Sequence, residues 1–569
     1  MANFNPNRIT YFGETDYRNK RTKFGIKAID RTKHMYVIGK TGMGKSTCLE
    51  NMAVQDIMNG EGFAFIDPHG SSAELLLNYI PEHRIKDVLY FAPFDMDFPV
   101  SFNVMEDVGE DKRHLVANGL MSAFKKIWVD AWSARMEYIL NNTILALLEY
   151  PGATLLSINR MLSDKAYRQK VVDNTTDTAV KAFWEQEFAN YTERMAAEAT
   201  PAIQNKVGQF ISNPIIRNII GQPKSSFDLR KMMDERKIVI INLSKGQVGE
   251  ANANLLGSML ITKIYLSAMS RADLPKDQVA KLPNFYLYVD EFQSFANESF
   301  ADILSEARKY KLNLTVAHQY VEQMTEEVRA AIFGNVGTMV VFRVGSYDAE
   351  IFEREFAPEF TAEDIVNLGK YQMYLRLMVD GVGTHPFSGR GLPPIDPPST
   401  SYRDVVVGTS RKMYGRPRAL VEADINRDYI AVVPQKSGGG PKHNNNNSKK
   451  KKKPKSSGGG NNNNNNTNNK QNQPNMALRD ALQNVIDTES GGNQGNAKKE
   501  HQSQSRPHKK TNDGKGPKPD SVAALKNAIQ SAQAPEKIDS APTKKVASSQ
   551  TNEVPEHVLR KMLELEQDE

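Results

Sequence analysis

The stretch His34-Met35-Tyr36-Val37-Ile38-Gly39-Lys40-Thr41-Gly42-Met43-Gly44-Lys45-Ser46-Thr47 decides how this chain reads. A short apolar run, Met35 to Ile38, enters a loop with glycine at 39, 42 and 44. Lys45 and Ser46 close the loop, and Thr47-Cys48-Leu49 opens a helix. The pattern is an ungapped G-x-x-x-x-G-K-[ST] in the strand–loop–helix context that its chemistry requires. The glycines let backbone N–H groups curl around an anion, and the N-terminus of the helix adds a favourable dipole. Residues 39–47 are therefore the expected phosphate cradle: Gly39, Lys40, Thr41, Gly42, Met43, Gly44, Lys45, Ser46 and Thr47. Lys45 can reach the β- and γ-phosphates, and the Ser46 hydroxyl can ligate Mg²⁺.

Working outward, apolar strands and helical periods alternate. Gly62 to Asp67 is a strand ending in Asp67-Pro68-His69-Gly70, a motif placed near the nucleotide with an expected interface or supporting role. Ser71 to Tyr79 is helical, and Val88 to Phe91 is a strand again. Such alternation implies a parallel sheet with crossover helices. From about 105 to 235 strand signals stop. Helical stripes follow instead at Met136–Leu148, Thr154–Leu162, Ala179–Glu193 and Pro201–Ile211, an all-helical insertion of domain size. Strands resume at Ile238–Leu243, Phe285–Val289, Leu312–Val316, Met339–Val344 and Met373–Val379, with a helix at Phe300–Tyr310 and a β-like close near Thr384–Arg390.

The expected organisation is a basic, β-rich lead-in or lid over 1–33 and an α/β core of RecA-like P-loop type over 34–104 and 236–398. The core is interrupted by the helical insertion at 105–235. A strap over 399–435 and an unpacked tail over 436–569 complete the chain. The tail holds Asn444–Asn447, Lys449–Lys453 and Asn461–Asn466, a composition that cannot bury enough apolar surface to offset ordering entropy. Three amphipathic islands interrupt it, at Met476–Leu482, Val522–Ile529 and Val558–Leu563, and read either as transient helices or as motifs that fold on partner proteins.

Charge follows this division. The 569 residues carry a formal +6, with 73 basic and 67 acidic side chains. Residues 436–569 hold 23 of the basic and 14 of the acidic groups, so the tail is +9 and the rest −3. Any nucleic-acid surface on the core is thus local rather than global. The single cysteine, Cys48, excludes an intrachain disulfide and a cysteine-based metal site. No apolar run approaches the length of a membrane span, and the first residues lack a signal-like apolar core. A soluble cytoplasmic protein is expected, peripheral to an inner membrane only through partners.

A phosphate loop alone does not separate kinases, GTPases and motors. Leu287-Tyr288-Val289-Asp290-Glu291 narrows the choice, since an apolar strand there delivers two carboxylates at its C-terminal end. Asp290 suits the Mg²⁺ contact. Glu291 suits polarising the attacking water. No GTPase switch or guanine-reading N/T-K-x-D is present, which favours ATP. Val88–Phe91 and Ile238–Leu243 fall between the two motifs, leaving room for an extra strand between the phosphate-loop strand and the Asp-Glu strand. The next strand ends in His318-Gln319; Gln319 can sense the γ-phosphate or the lytic water, and His318 reads as a neighbour.

Gly39–Thr47, Ile66–Gly70, Tyr288–Phe292, Ser305–Gln319 and Val341–Gly345 together resemble the HerA–FtsK superfamily, in its branch of type IV secretion coupling proteins (TraG/TraD-like, conjugative DNA transfer). The resemblance spans about residues 10–395, and that branch also carries an all-α insertion. It implies a ring, hexameric by analogy, that spends ATP and Mg²⁺ to move DNA through a central channel. It also implies an arginine from a neighbouring subunit completing each site, for which Arg343 and Arg308 are candidates. Trp132-x-x-Arg135 looks family-like without a defined role. Absence of membrane helices departs from many coupling proteins. It keeps a HerA-like DNA-processing motor, a secretion ATPase acting on protein and an NTP-gated scaffold as alternatives.

Overall fold

Seven apolar runs, each buried along its whole length, build the middle of one sheet: β3 (Met35–Ile38), β4 (Gly62–Asp67), β5 (Val88–Phe91), β6 (Ile238–Asn242), β7 (Phe285–Val289), β8 (Leu312–His318) and β9 (Thr338–Phe342). They run parallel in the order β9-β3-β8-β7-β4-β6-β5. Continuous burial is what a parallel sheet covered by helices on both faces demands. The structure is a computed structural model that describes residues 5–430, apart from 18–19, 107, 129–131 and 298. The tail from 436 and its three amphipathic islands lie outside the described residues.

Four antiparallel strands extend the sheet beyond β9. These are β1 (Ile9–Tyr17), β2 (Lys20–Lys27), β10 (Gln372–Arg376) and β13 (Phe387–Gly391), in the order β2-β1-β13-β10-β9. A two-stranded hairpin, β11 (Met378–Val379) with β12 (Val382–Gly383), sits between β10 and β13 in sequence. The lead-in is thus the sheet's outer edge. It is also bolted to the core, because the Arg31 guanidinium makes a two-pronged pair with Asp56 at 2.7 and 2.9 Å and donates to Tyr288 Oη at 2.6 Å. Full burial of that charge is tolerable only because it is paired in this way.

The strand standing between β3 and β7 is β8. Neither Val88–Phe91 nor the Ile238 strand fills that gap; both lie on the far side of β7. The strand ending in Gln319 therefore runs beside both motif strands, which places Gln319 between them.

Side chains alternate between two cores. Met35, Val37, Phe63 and Phe65 face one core, with the helix Lys45–Met58. Tyr36, Ile38, Ala64 and Ile66 face the other. The second core runs without a break into Ile139, Ile144 and Leu147 of the helix Ala134–Glu149, so the helical insertion shares the sheet's core. Between β5 and β6 the described residues form helices and irregular segments with no strand, apart from one isolated bridge of Val100 to Gly415. The expected helix over 179–193 is shorter. After Thr178–Ala182 a π-helical turn, Phe183–Glu187, and a 3₁₀ turn gather Phe183, Trp184, Phe188 and Tyr191 into one aromatic cluster, with Trp184 and Phe188 4.7 Å apart. The segment read as a strap holds two helices, Arg403–Tyr414 and Arg418–Ile430. Among the described side chains they bury Val406, Ser410, Val421 and Ile425, too sparse a stripe to announce helices in sequence. Among the described residues no helix is long and apolar enough to cross a membrane.

Candidate functional site

The phosphate loop leaves β3 and enters the helix Lys45–Met58 at its N-terminus. Gly44 has φ +115°, a conformation that penalises any side chain, and Gly42 has φ +77° with open space where a Cβ would stand. Two backbone bonds hold the loop to its neighbours: Gly39 N–H to His318 O at 3.3 Å and Lys40 N–H to Arg343 O at 2.8 Å. Lys45 folds back over the loop, its Nζ donating to Gly39 O at 2.7 Å and Lys40 O at 3.4 Å. Burial holds its pKa below the ordinary lysine value, opposed by the charges of Glu291 and Asp290.

The second motif arrives from β7, two strands away. Ser46 Oγ donates to Asp290 Oδ2 at 2.7 Å. Burial raises the Asp290 pKa to about 6; the Ser46 hydrogen bond opposes this, while the charges of Glu291 and Asp67 add to it. A hydroxyl and a carboxylate in contact make a hard-oxygen pair that suits Mg²⁺, an ion usually held by one or two protein oxygens, phosphates and water. Among the described residues no cluster of three or more His, Cys, Asp or Glu forms an all-protein metal cage.

Glu291 occupies left-handed backbone space, with φ +48°. A non-glycine residue there is uncommon and costs of order 1–3 kcal/mol, a strain that concentrates at functional positions. The kink turns its carboxylate toward the loop after β8. Gln319 Nε2 donates to one Glu291 oxygen and Gln293 Nε2 to the other. Gln319 Oε1 in turn accepts from Thr41 Oγ1 at 3.2 Å, so Gln319 bridges the phosphate loop and Glu291. Lys45, Ser46, Asp290, Glu291 and Gln319 thus converge from three adjacent strands, all at their C-terminal ends, where open α/β sheets bind ligands.

The remaining candidates fall elsewhere. His318 faces away from the loop: its Nδ1 lies 3.1 Å from Tyr36 Oη, and burial, with the charges of Lys45 and Lys126, pushes its pKa down to about 3. Asp67 spends its carboxylate on the backbone N–H groups of His69 at 2.8 Å and Ala73 at 2.9 Å, which shapes the turn into the helix Ser71–Leu77. Arg343 follows β9 beside the phosphate loop, half-buried, and no hydrogen bond or ion pair engages its side chain among the described residues. Arg308 is exposed and precedes the N-terminal end of β8, the end opposite the phosphate loop. Trp132 stacks near Trp128, with centroids 6.5 Å apart, and donates to Glu137 Oε2 at 2.6 Å. Sequence reasoning missed Gln293, although its place two residues after Glu291 in Asp290-Glu291-Phe292-Gln293 was a usable signal.

The family model for the type IV secretion-system coupling protein DNA-binding domain matches residues 22–370, more than half of the chain. No curated protein sequence matches. Solved structures with a similar fold include the bacterial conjugative coupling protein TrwBΔN70 in its unbound monoclinic form, at 14% identity and TM-score 0.49, covering 65% of this chain and 87% of that one. The plasmid coupling protein TrwB in complex with ADP and Mg²⁺ aligns at 14% identity and TM-score 0.49, over 66% of this chain and 89% of that one. VirB4 of Thermoanaerobacter pseudethanolicus aligns at 13% identity and TM-score 0.46, over 69% and 98%. With its phosphate loop, Asp-Glu strand and interposed Gln strand inside the matched span, this chain belongs to the family of type IV secretion-system coupling proteins.

Proposed function

We propose that the chain is the subunit of a ring, hexameric by analogy, that hydrolyses ATP with Mg²⁺ to drive DNA through its centre in conjugative transfer. The observation that supports this most is the bridge Thr41–Gln319–Glu291 beside the Ser46–Asp290 pair. Such a bridge links the group that would sense the γ-phosphate to the group that would activate water. ATP would supply the phosphoryl group, and Ser46 and Asp290, already 2.7 Å apart, would hold the Mg²⁺ that offsets phosphate charge. Lys45 exchanges its main-chain acceptors for phosphate oxygens. Glu291 polarises the attacking water, and Gln319 shifts its hydrogen bonds as the γ-phosphate leaves. An arginine of the adjacent subunit, Arg343 or Arg308, neutralises transition-state charge. The ring would act on the cytoplasmic side of a membrane, held there by partner proteins.

The test is ATP hydrolysis by the full chain with and without DNA across a range of salt. Turnover should rise with DNA, and that rise should fade steeply as salt releases the phosphate contacts. Lys45→Ala should abolish turnover. Assembled rings whose hydrolysis ignores both single-stranded and duplex DNA would count decisively against a DNA motor.

A further inference from the structure

The helix Glu110–Ile127 opens the helical insertion and packs against the helix Glu250–Met269. Gly119 makes the approach close: a Cβ there would fall 2.4 Å from Thr262 Cγ2. The last turn of the first helix carries Lys126. A lysine at that position commonly serves its own helix's terminal carbonyls. Lys126 reaches elsewhere, donating to Gln293 O at 2.6 Å and to Ala296 O. Those carbonyls belong to the turn that follows Asp290-Glu291. From the other side Lys245 Nζ donates to Ser294 Oγ at 2.8 Å. Two lysines therefore grip one turn. Burial, with the like charge of Lys245 adding, lowers the Lys126 pKa to about 8, an arrangement tolerable only because both of those carbonyls accept from it.

The gripped turn is the one that presents Glu291. The side chain of Gln293 donates to the Glu291 carboxylate, and the main chain of the same residue is the acceptor of Lys126. We propose that Lys126 is a positioning residue: through Gln293 it sets the aim of Glu291, and so makes the stance of the helical insertion felt at the hydrolytic site. The route is covalent or hydrogen-bonded at every step, from helix to ammonium, to carbonyl, to amide, to carboxylate. The phosphate-binding groups Lys45 and Ser46 lie outside it. A lost Lys126 should thus slow the chemical step while leaving nucleotide capture intact. This inference rests on the hydrolytic reading of Glu291.

The experiment compares Lys126→Met, Lys126→Arg and Gln293→Ala in the full chain. It measures kcat and KM for ATP with and without mixed-sequence single-stranded and duplex oligonucleotides, alongside melting temperature. Lys126→Met should lower kcat about ten- to a hundredfold, the usual effect of a slightly misplaced catalytic group, with KM unchanged and DNA stimulation reduced. Lys126→Arg should recover most of the rate. Gln293→Ala should match the loss, and the double variant should be no slower than the slower single one. A kcat equal to wild type in Lys126→Met or Gln293→Ala would overturn the proposal. So would a parallel change of kcat and KM, or a collapse of Lys126→Met that arginine does not rescue. Glu291→Gln in the same assay separates the two levels: if wild type turns over and Glu291→Gln does not, the hydrolytic reading stands whatever Lys126 does. A wild-type chain without turnover would sink that reading and the positioning role together.

Discussion

Glu291 concentrates the problem this molecule has solved. Its backbone sits at φ +48°, its N–H donates to Asp290 Oδ1 at 2.9 Å, and its carboxylate accepts from Gln293 and Gln319. The strain is sustained by three separate hydrogen bonds, so the carboxylate has one aim. Replacing it with the amide keeps the shape and removes the carboxylate proposed as base. Glu291→Gln should lower kcat by about a hundredfold or more while retaining nucleotide affinity, read by single-turnover hydrolysis beside equilibrium binding of a fluorescent nucleotide. Tight binding with undiminished turnover would transfer the base role to another group. Asp290 and Glu291 were legible in sequence as acids at the end of an apolar strand. The bridging place of Gln319 was not, because it depends on which strand stands next to which.

At the scale of elements, close approach decides how the insertion meets the sheet. Gly119 has no room for a side chain against Thr262, so the helices Glu110–Ile127 and Glu250–Met269 touch nearly backbone to side chain. Gly119→Val should force them apart and destabilise the chain by about 1–3 kcal/mol, the usual range for overpacking, visible as a lowered melting temperature. An unchanged melting temperature would mean that the contact yields freely. The same scale explains which helices sequence reading found. Ala134–Glu149 buries Ile139, Leu140, Ile144, Leu147 and Leu148 as a full stripe, and its period is plain. Arg403–Tyr414 fully buries Val406 and Ser410 while Val405 and Met413 stay exposed, so no clean stripe marks it and its helicity depends on the surface it lies against.

For the whole molecule, two buried neutral histidines tie stability to pH. The pKa of His34 falls from 6.5 to about 4, by burial first and then the charge of Arg308; Leu314 N–H donates to its Nδ1 at 3.0 Å, which requires that nitrogen unprotonated. His318 falls to about 3. Both pKa values are lower folded than unfolded, so between them and 6.5 the unfolded chain binds more protons and stability rises with pH. Moving from pH 7 to pH 5 should remove about 2 kcal/mol for each histidine. His34→Asn keeps an acceptor for Leu314 and removes the titrating ring, and should flatten its share of the loss in melting curves taken across that range. An unaltered pH dependence would exclude His34 as a contributor. The sequence by itself determined the phosphate loop, the paired acids, the parallel α/β core and the helical interruption, because each is written in local spacing and apolar periodicity. Tertiary structure alone decided that β8 stands between the two motif strands, that Gln319 links Thr41 to Glu291, and that Lys126 reaches the turn behind Glu291. Those facts join residues far apart in the chain through parallel pairing and close helix packing, and no local pattern encodes which distant partner a strand or an ammonium will meet.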